Sequence, residues 1–520
     1  MAISLTVFFA SIFGILLSDI FSGRNNFPPS FFLISMTPFL LFLLTVIEKK
    51  KINIPIRATI IYILFLFFTS VSTFFSVDKE ISIKLLFIYI SGYLFFIFSF
   101  NYKEILSRYF GKFLVGISAF SCLIFSVDNI LHLNLFNTGS LFFNYGHHQI
   151  GNLLVFGLLS VFPNPLFLIF FLFMLFSYSR TAHISLMMVL IIRLITHKLN
   201  KLPIIIGLIV ISTSLLFIVL KTNLIIQTSK QIFSGRNIYY SYALSSIKEL
   251  PLFGVGPGNF AYVVFKKQVN SAEFTDQTEN IVLQVLSENG ILAGAFFILF
   301  IYIIFQKKKK DINFLMFLAL NIIFMIDLSY SFNFFLILWF ILGGLTLDSN
   351  KKMEVGIIIP SAVIFVGALI ILSSQILLKI GLWKQSIFVY PIQKDGYRKA
   401  IRENIILKDK KKTYYYLHKY DQIFGKSTAI FDEINYYSVF KEKNKTAELY
   451  ERLLWFRPFV DAATLNRIWH FYVNLYGISK GNEKMANILR QIKSSYSEKD
   501  KRSDFYKQID NFCIKTYIGC

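Results

Sequence analysis

Long apolar segments with few charged residues recur along the chain and constrain its fold more than any other feature. A bilayer core about 30 Å thick is crossed by about 20 apolar helical residues, because a helix bonds its backbone groups within the segment. Thirteen such segments lie near residues 4–22, 30–47, 58–76, 84–101, 109–127, 150–162, 164–178, 182–196, 203–220, 291–305, 312–328, 333–347 and 355–377. The chain also has 60 Phe among 520 residues, more than one aqueous core buries. The sequence therefore predicts an all-α fold, a polytopic membrane helical bundle of 12 or 13 spans.

Lysine and arginine alternate between the short loops, and this alternation predicts the orientation of the bundle. With each loop numbered by the span before it, loops two, four, eight, ten and twelve hold sixteen Lys and Arg, and the other short loops hold four. Short cytoplasmic loops carry the excess of positive charge. The even loops are therefore predicted to face the cytoplasm. The odd loops, the long loop 221–290 and the chain after residue 378 are predicted to lie outside.

Residues 379–520, called the tail below, form a sizeable stretch without a predicted span. Their apolar residues recur at helical spacing in three runs, which Pro458 and Gly477 separate. Antiparallel helix pairs like tetratricopeptide repeats fit this pattern, and a small helical bundle of another kind fits it equally. We therefore predict a membrane domain over 1–378 and a helical, repeat-like soluble domain over 379–520.

The tail is basic, with 27 Lys and Arg against 15 Asp and Glu, which favours contact with anionic lipid headgroups. Nucleic acid is not an expected partner for a domain outside the membrane. Cys122 lies in a span, whereas Cys513 and Cys520 in the tail are predicted to pair if their compartment is oxidising. No cysteine motif has the spacing of a metal site, and neither a metal nor a cofactor is predicted.

Four polar clusters fall on the predicted outer side. Polar groups at membrane depth are costly unless they are paired or hydrated, so such clusters are functional candidates. The clusters are 144–149 with His147 and His148, 179–181 with Arg180, 234–237 with Arg236 followed by the glycine-rich run 251–260, and 278–290 with Glu279. Each cluster also has a simpler interpretation. His147 and His148 fit ordinary interfacial histidines, or a metal pair that lacks a third ligand. The Arg180 side chain could extend to the headgroups, Arg236 could be a solvated loop charge, and Glu279 could cap the next helix.

Together the clusters have the chemistry of a diphosphate site. Guanidinium is the preferred two-pronged partner of phosphate and stays charged at any relevant pH, and Arg180 and Arg236 supply two such groups. The run 251–260 lacks the strand and helix start of a dinucleotide loop. Its glycines, Gly256 and Gly258 among them, let a backbone approach a ligand closely. A lipid-anchored diphosphate at the outer leaflet would meet these groups at headgroup depth.

At these residues the chain resembles the O-antigen ligase superfamily of bacterial membrane glycosyltransferases, which includes O-antigen ligases, O-antigen polymerases and protein O-oligosaccharyltransferases. The resemblance covers about residues 130–347 and rests on 179–181, 234–236, 251–260 and 280–290 in this order. It implies a GT-C-like bundle that acts at the periplasmic face of the inner membrane without a nucleotide or a metal. An acceptor hydroxyl attacks an undecaprenyl-diphosphate-linked glycan, and undecaprenyl diphosphate leaves.

The resemblance also implies roles for single residues. Arg180 and Arg236 match the family's diphosphate-binding arginines. The chain differs at Glu279, where the family commonly has a histidine that activates the acceptor; a carboxylate also serves as a base, and His147, His148 or no base at all remain alternatives. The predicted catalytic residues are Glu279, Arg236 and Arg180, and the predicted substrate-binding residues are Arg180, Arg236, His147, His148, Gly256, Gly258, Asn259 and Asn280.

The acceptor divides the superfamily into subtypes. A ligase transfers the glycan to lipid A–core, a polymerase to another lipid-linked glycan, and an oligosaccharyltransferase to Ser or Thr of a protein. We expect a ligase or polymerase of surface polysaccharide or lipopolysaccharide biosynthesis. A protein O-oligosaccharyltransferase is the alternative, because that subtype also has a repeat-like region after its last span. A lipid-linked oligosaccharide flippase or a membrane scaffold belongs to another class, and a flippase would need midplane charges and repeated halves that the sequence lacks.

Overall fold

The computed structural model of the protein describes residues 2–22, 28–48, 51–131, 147–164, 166–177, 179–196, 201–228, 234–267, 275–306, 311–348, 352–354, 358–424, 430–454, 462–494 and 504–516. Over these ranges it has 23 α-helices and one two-stranded antiparallel sheet. The strands are β1 (Asn53–Pro55) and β2 (Lys352–Glu354).

The first fifteen helices contain every predicted span. They are α1 (Ala2–Ser22), α2 (Pro28–Ile47), α3 (Ile56–Phe74), α4 (Lys79–Asn101), α5 (Lys103–Leu131), α6 (His147–Val161), α7 (Leu166–Phe176), α8 (Arg180–Thr196), α9 (Lys201–Thr228), α10 (Ser234–Glu249), α11 (Phe260–Lys267), α12 (Ile281–Phe305), α13 (Ile312–Ile326), α14 (Asn333–Thr346) and α15 (Ile358–Lys379). Helices α10 and α11 lie in the predicted long loop. Among the described residues, seven helices, α1 to α5, α12 and α15, are long and apolar enough to cross a membrane. The predicted all-α, multi-spanning membrane fold is therefore confirmed.

Loops two, four and twelve meet at one end of α4, and the third loop meets the long loop at the other end. In the second loop β1 pairs with β2 of the twelfth, and the N–H of Asn53 donates to Asn101 Oδ1 at 2.8 Å, beside the fourth loop. At the other end of α4, the N–H of Asp78 donates to Asn259 Oδ1 of the long loop at 2.9 Å. Helix α4 has 23 residues and is about 35 Å long. The positions of these five loops agree with the charge alternation, and the orientation of the bundle stays a prediction.

Helix α12 begins well before the predicted span 291–305, so the polar residues of the fourth cluster are themselves helical. Its backbone is non-helical at Gly290, where φ is 84° and ψ is 172°. A Cβ atom there would lie 2.0 Å from Leu252 O, and the N–H of Ile291 donates to Pro251 O at 2.8 Å. The kink therefore lets the glycine-rich run pack directly against α12.

Aromatic rings fill the region where α3, α4, α12 and α14 meet. The rings of Tyr62 and Tyr93 stack with centroids 4.4 Å apart, and the Phe300 ring centroid lies 4.8 Å from that of Tyr62. Trp339 of α14 is 1% exposed, and its ring centroid is 6.0 Å from that of Phe300. These large, tightly packed side chains hold in place α12, whose start carries the fourth polar cluster, and the helices around it.

Eight further helices follow in the tail. They are α16 (Trp383–Val389), α17 (Lys394–Ile406), α18 (Lys410–Phe424), α19 (Ile430–Val439), α20 (Lys443–Leu454), α21 (Ala462–Tyr476), α22 (Ile478–Ser494) and α23 (Asp504–Thr516). Helix α17 packs on α18, α19 on α20, and α21 on α22. One apolar core includes Tyr397 and Tyr420, and another includes Leu454 and Leu489. Successive helix pairs fit both predicted arrangements, so the comparison with tetratricopeptide repeats stays a prediction.

Two details of the tail extend beyond the described residues. Gly477 lies between α21 and α22 with φ 83°, whereas the other predicted helix breaker, Pro458, lies outside the described ranges. Cys513 is disulfide-bonded, and Cys122 is a buried free cysteine. The predicted partner of Cys513, Cys520, also lies outside the described ranges.

Candidate active site

Arg180 begins α8, and buried polar groups hold the turn before it. The N–H of Ala182 donates to Ser179 Oγ at 3.2 Å, so Ser179 caps the helix, and Ser179 Oγ donates to Asn152 Oδ1 at 3.3 Å. A basic residue at a helix N-terminus is unfavourable, because the N–H groups there already present positive charge. Arg180 is half-buried, and this burial, followed by the nearby charge of Arg236, lowers its pKa. Both predicted guanidinium groups therefore lie within electrostatic reach of each other.

Arg236 lies in the first turn of α10 and forms an ion pair with Glu279. Arg236 Nε and Glu279 Oε2 are 2.5 Å apart, and the two side chains are 38% and 20% exposed. A guanidinium has five N–H donors, and within the described residues only the donor on Nε of Arg236 is hydrogen-bonded. The outer edge of this guanidinium can therefore bind an anion. The Tyr240 hydroxyl lies near both charges: burial raises its pKa, Arg236 lowers it and Glu279 raises it.

A tight turn over 278–280 fixes the position of Glu279. The N–H of Thr278 donates to Gln284 Oε1 at 2.7 Å, and Thr278 Oγ1 donates to Asn280 O at 2.6 Å. The backbone of Glu279 has φ 56°, a left-handed conformation that residues other than glycine rarely adopt. Such strain persists only where the surroundings enforce it, and it is frequent at functional sites. The turn thus directs the Glu279 carboxylate towards α10.

Asn280, and not Glu279, caps α12. The N–H of Leu283 donates to Asn280 Oδ1 at 3.0 Å, and Asn280 Nδ2 donates to Met325 O at 3.1 Å. The capping role considered for Glu279 therefore belongs to its neighbour, which leaves the Glu279 carboxylate for other chemistry. Because both polar atoms of the Asn280 side chain bond within the protein, its contact with substrate stays a prediction.

Asp327 is a buried acid beside the site that the sequence analysis did not single out. It directly follows α13, so it lies beyond the helical span, and it is 7% exposed. Burial raises its pKa, the Ser329 hydroxyl and the charge of His148 lower it, and the charge of Glu279 raises it. Asp327 therefore lies within electrostatic reach of both His148 and Glu279. Its position at the end of the predicted apolar span 312–328 is the sequence feature that could have identified Asp327 as a candidate.

A hydrogen-bond network joins Asp327 to the start of α6. Asn152 Nδ2 donates to Ser329 Oγ at 2.9 Å, and Ser329 Oγ donates to Asp327 Oδ1 at 2.5 Å. His148, one turn before Asn152, is exposed, whereas the His147 side chain and the loop before α6 lie outside the described residues. The polar starts of α6 and α8 and the end of α13 are thus brought together at one end of the bundle.

The glycine-rich run packs against α12 and against the turn between α3 and α4. A Cβ atom on Gly254 would lie 2.3 Å from Glu288 O, and one on Gly256 would lie 2.1 Å from Ser76 Cβ. The N–H of Gly256 donates to Glu288 O at 2.8 Å. The two glycines therefore allow the run to pack closely against other parts of the protein. At Gly256 the close neighbour is Ser76, whereas the sequence predicted a ligand there.

Asn259 and Gly258 have different surroundings. Asn259 is fully buried, its Nδ2 donates to Ser82 Oγ at 2.7 Å, and its Oδ1 accepts from the N–H of Asp78. These bonds fasten the long loop to the start of α4. Gly258, by contrast, lines a cavity, so of these two predicted binding residues it is the one placed for contact with a ligand.

This cavity, of about 530 Å³, lies between the starts of α4 and α12 and the tail helix α17. Arg180, Arg236 and Glu279 do not line it, whereas Asp276 and Gln277 do. These two residues immediately precede the turn that carries Glu279. The predicted diphosphate site and the cavity are therefore neighbours that share one turn.

The arrangement suits a reaction with an anionic leaving group and a hydroxyl nucleophile. Two guanidinium groups lie at the starts of two helices, where unpaired N–H groups also favour anions. A carboxylate paired with one of these guanidinium groups lies on a strained turn, and a carboxylate within hydrogen-bond reach of a hydroxyl can accept its proton.

Comparison with known protein families finds an O-antigen ligase domain at residues 165–298. This range contains Arg180, Arg236 and Glu279, and it lies within the wider region 130–347 over which the sequence resembles the superfamily. The predicted relationship to the O-antigen ligase superfamily is confirmed. No curated protein and no solved structure matches the chain.

Proposed function

We propose that this chain, whose residues 165–298 match the O-antigen ligase family, transfers a glycan from an undecaprenyl diphosphate carrier to an acceptor hydroxyl. The observation that carries the proposal is the placement of Arg180 near Arg236, with Glu279 paired to Arg236. Two like charges held near each other repel, and an anion between them relieves that repulsion. The diphosphate of a lipid carrier is an anion of the required charge.

The proposed reaction forms one bond and breaks one. The oxygen of the acceptor hydroxyl bonds to the anomeric carbon of the donor glycan, and its proton passes to the Glu279 carboxylate. The bond between that carbon and the diphosphate oxygen breaks, and undecaprenyl diphosphate leaves with the bonding electrons. Arg180 and Arg236 stabilise the charge that grows on the leaving group, an electrostatic effect of about 3–4 kcal/mol per donor.

The site lies at the outer end of the bundle in this proposal, at the periplasmic face of the bacterial inner membrane. The charge alternation of the loops supports this orientation, because the loops at the site's end carry few Lys and Arg. The donor's polyprenyl chain then remains in the bilayer while its diphosphate meets the arginines at headgroup depth. The basic tail lies on the same side, next to lipid headgroups.

We favour a ligase or polymerase of surface polysaccharide biosynthesis over a protein O-oligosaccharyltransferase, because Glu279, in place of the family's common histidine, weakens a close match to any single subtype. Deletion of the gene followed by analysis of surface glycans separates the subtypes. Long chains left on the lipid carrier indicate a ligase, single repeat units a polymerase, and loss of glycosylated proteins an oligosaccharyltransferase. Donor that remains on the cytoplasmic leaflet would instead indicate a flippase.

Substitution of the arginines tests the proposal in the deletion strain. Arg180→Ala and Arg236→Ala are expected to lower glycan transfer at least about 100-fold, because each removes a donor to the leaving group. Arg236→Lys is also expected to be impaired, since an ammonium cannot reproduce a two-pronged contact. Transfer is measured on surface glycans, and protein amount is measured in isolated membranes.

Arg57→Ala is the matched control, because Arg57 is exposed at the opposite end of the bundle. It is expected to keep full transfer. Normal transfer by Arg180→Ala or Arg236→Ala at a normal membrane level would remove that residue from the diphosphate site.

A further inference from the structure

The cavity next to the diphosphate site has walls from several distant parts of the sequence, residues 330–336 among them. The start of α4 and the first half of α12 supply two walls, and the tail helix α17 supplies Lys394, Asp395 and Arg398. Its volume of about 530 Å³ lies within the range of about 300–1,000 Å³ that is usual for ligand sites. A site with this composition exists only when the tail is docked on the membrane bundle.

Buried ionic contacts fasten α17 to α4. Lys394 Nζ lies 2.7 Å from Asp78 Oδ2, and these side chains are 20% and 1% exposed. The N–H of Lys394 donates to Glu80 Oε2 at 2.9 Å, and Lys84 Nζ lies 2.6 Å from Glu80 Oε1. Burial by itself would lower the pKa of Lys394, but the Asp78 carboxylate together with the nearby Tyr262 and Tyr420 outweighs burial and raises the pKa. Helix α17 is therefore a fixed wall of the cavity.

The cavity has the opposite charge balance to the arginine site. Its acidic residues are Asp78, Glu80, Asp276, Glu288 and Asp395, and its basic residues are Lys84, Lys394 and Arg398. Asp78 and Glu80 are paired with Lys394 and Lys84, so the excess comes from the other three acids against Arg398. This acidic excess is local, since the whole chain has a net charge of +23. Carboxylates accept hydrogen bonds from hydroxyl groups and repel phosphate. The cavity therefore suits a neutral ligand rich in hydroxyl groups, and not the donor's diphosphate.

Aromatic and amide side chains connect the cavity to the turn that carries Glu279. Tyr330 is 6% exposed, and its hydroxyl donates to Gln284 Oε1 at 3.2 Å. The same Gln284 oxygen accepts from the N–H of Thr278. Tyr89 lines the cavity as well, and tyrosine rings offer apolar faces together with a polar tip. A sugar held here lies one turn away from the proposed base.

We propose that the cavity binds the acceptor as a neutral, hydroxyl-rich glycan, and that α17 of the tail is part of this acceptor site. The inference rests on the proposed function, because the transfer reaction defines which substrate is the acceptor. The acceptor hydroxyl extends past residues 276–277 to Glu279, and the donor diphosphate lies at Arg180 and Arg236 on the far side of that turn.

The test uses the purified full-length protein in detergent and two readouts. The probe is the repeat-unit oligosaccharide released from the host's own surface glycan by mild acid. Its direct binding is followed by saturation-transfer NMR without donor, and its KM is measured in the transfer assay with donor. Asp276→Ala and Asp395→Ala are expected to weaken binding and to raise the acceptor KM about tenfold each, with the donor KM unchanged. Glu448→Ala, an exposed acid of α20 outside the cavity lining, is the matched control and is expected to change neither.

The two readouts distinguish failure of this inference from failure of the proposed function. If wild-type protein transfers glycan but both cavity variants keep the normal acceptor KM and NMR signal, the acceptor site lies elsewhere and this inference is overturned alone. If wild-type protein binds the oligosaccharide through the cavity but transfers nothing, the glycan site stands and the transfer function falls. Inorganic diphosphate is expected to leave oligosaccharide binding intact, and its displacement of the oligosaccharide would also overturn the assignment of a neutral ligand to the cavity.

Discussion

Glu279, the proposed base, is paired with Arg236, which belongs to the proposed anion site. Its Oε2 lies 2.5 Å from Arg236 Nε, so an incoming diphosphate and the carboxylate share one guanidinium. In the proposed mechanism the anion draws Arg236 towards itself, which loosens its hold on Glu279 as the acceptor arrives. Donor binding and activation of the acceptor are thereby coupled through a single side chain.

Asp327 leads to a prediction in which stability and activity change in different directions. Burial raises its pKa above the unfolded value of 3.8, so its ionised form is costly in the folded protein. The folded state then binds the proton more tightly than the unfolded state. Folding stability therefore decreases as the pH rises from about 4 through the raised pKa.

Asp327→Asn keeps the shape of the side chain and removes the charge. We expect its thermal unfolding midpoint at neutral pH to equal or exceed that of the wild type, and to depend less on pH above about 4. We expect transfer to fall about tenfold or more, because the titratable carboxyl group near His148 and Glu279 is lost. Melting curves and transfer assays on the same preparations check both parts. A variant with normal transfer would make Asp327 a purely structural residue.

At the residue scale, charge was the informative signal. Arg180 was singled out because a charged residue at the end of an apolar span requires an explanation, and Arg236 and Glu279 because they belong to polar clusters in the long loop. The roles of all three in the reaction stay predictions. The packing roles of Gly256 and Asn259 could not be predicted, since their partners Ser76 and Ser82 are far away in sequence. Only the folded structure shows that these two residues contact protein.

The kink of α12 is the element on which the site's geometry depends. Gly290 has φ 84° and ψ 172°, a region that is accessible essentially to glycine alone. An added Cβ atom would also lie 2.0 Å from the carbonyl oxygen of Leu252. Gly290→Ala is therefore expected to destabilise the protein by about 2–4 kcal/mol and to displace the glycine-rich run from α12. Thermal unfolding in detergent measures the loss.

Gly116→Ala provides the control for this substitution. Gly116 lies within α5, and a Cβ atom there meets nothing within 4 Å. Alanine is favoured over glycine in a helix by about 1 kcal/mol, so this variant is expected to be equally or more stable. Equal stability of the Gly290→Ala and Gly116→Ala variants would show that the kink is not required.

At the element scale, hydrophobicity predicts which apolar segments form helices, but it does not predict which segments pack against a polar helix. Each predicted span coincides with a helix because an apolar run of sufficient length has few other stable conformations. The half-helix over 281–290 was missed because it is too polar for a span. It is buried by the run 251–260, which no periodicity in either segment reveals.

The docking of the tail is a property of the whole molecule, and a double-mutant cycle on Asp78 and Lys394 tests it. Removal of one partner leaves a buried charge, so Asp78→Asn and Lys394→Met are each expected to cost about 3 kcal/mol. The double variant is expected to be more stable than the sum of the single losses predicts, because no unpaired charge remains. Unfolding midpoints of the full chain give the coupling. Strict additivity would mean that this ion pair does not hold the tail to the bundle.

At this largest scale, the sequence predicts the sorting of the loops to two ends through the alternation of charge. The contact between α17 and α4 was not predictable, because the paired residues are 314 and 316 positions apart and each ionic partner alone resembles a solvated charge. The same holds for the cavity, whose walls become neighbours only after the tail has docked.

The most direct measurement is the affinity of the full-length protein, in lipid nanodiscs, for undecaprenyl diphosphate without a glycan. Native mass spectrometry compares the wild type with Arg180→Ala, Arg236→Ala, the double variant and the Arg57→Ala control. We predict that each single substitution weakens binding at least about tenfold, that the double substitution weakens it further, and that the control binds normally. Wild-type affinity in the double variant would contradict the account, because the two arginines would then not hold the carrier's diphosphate.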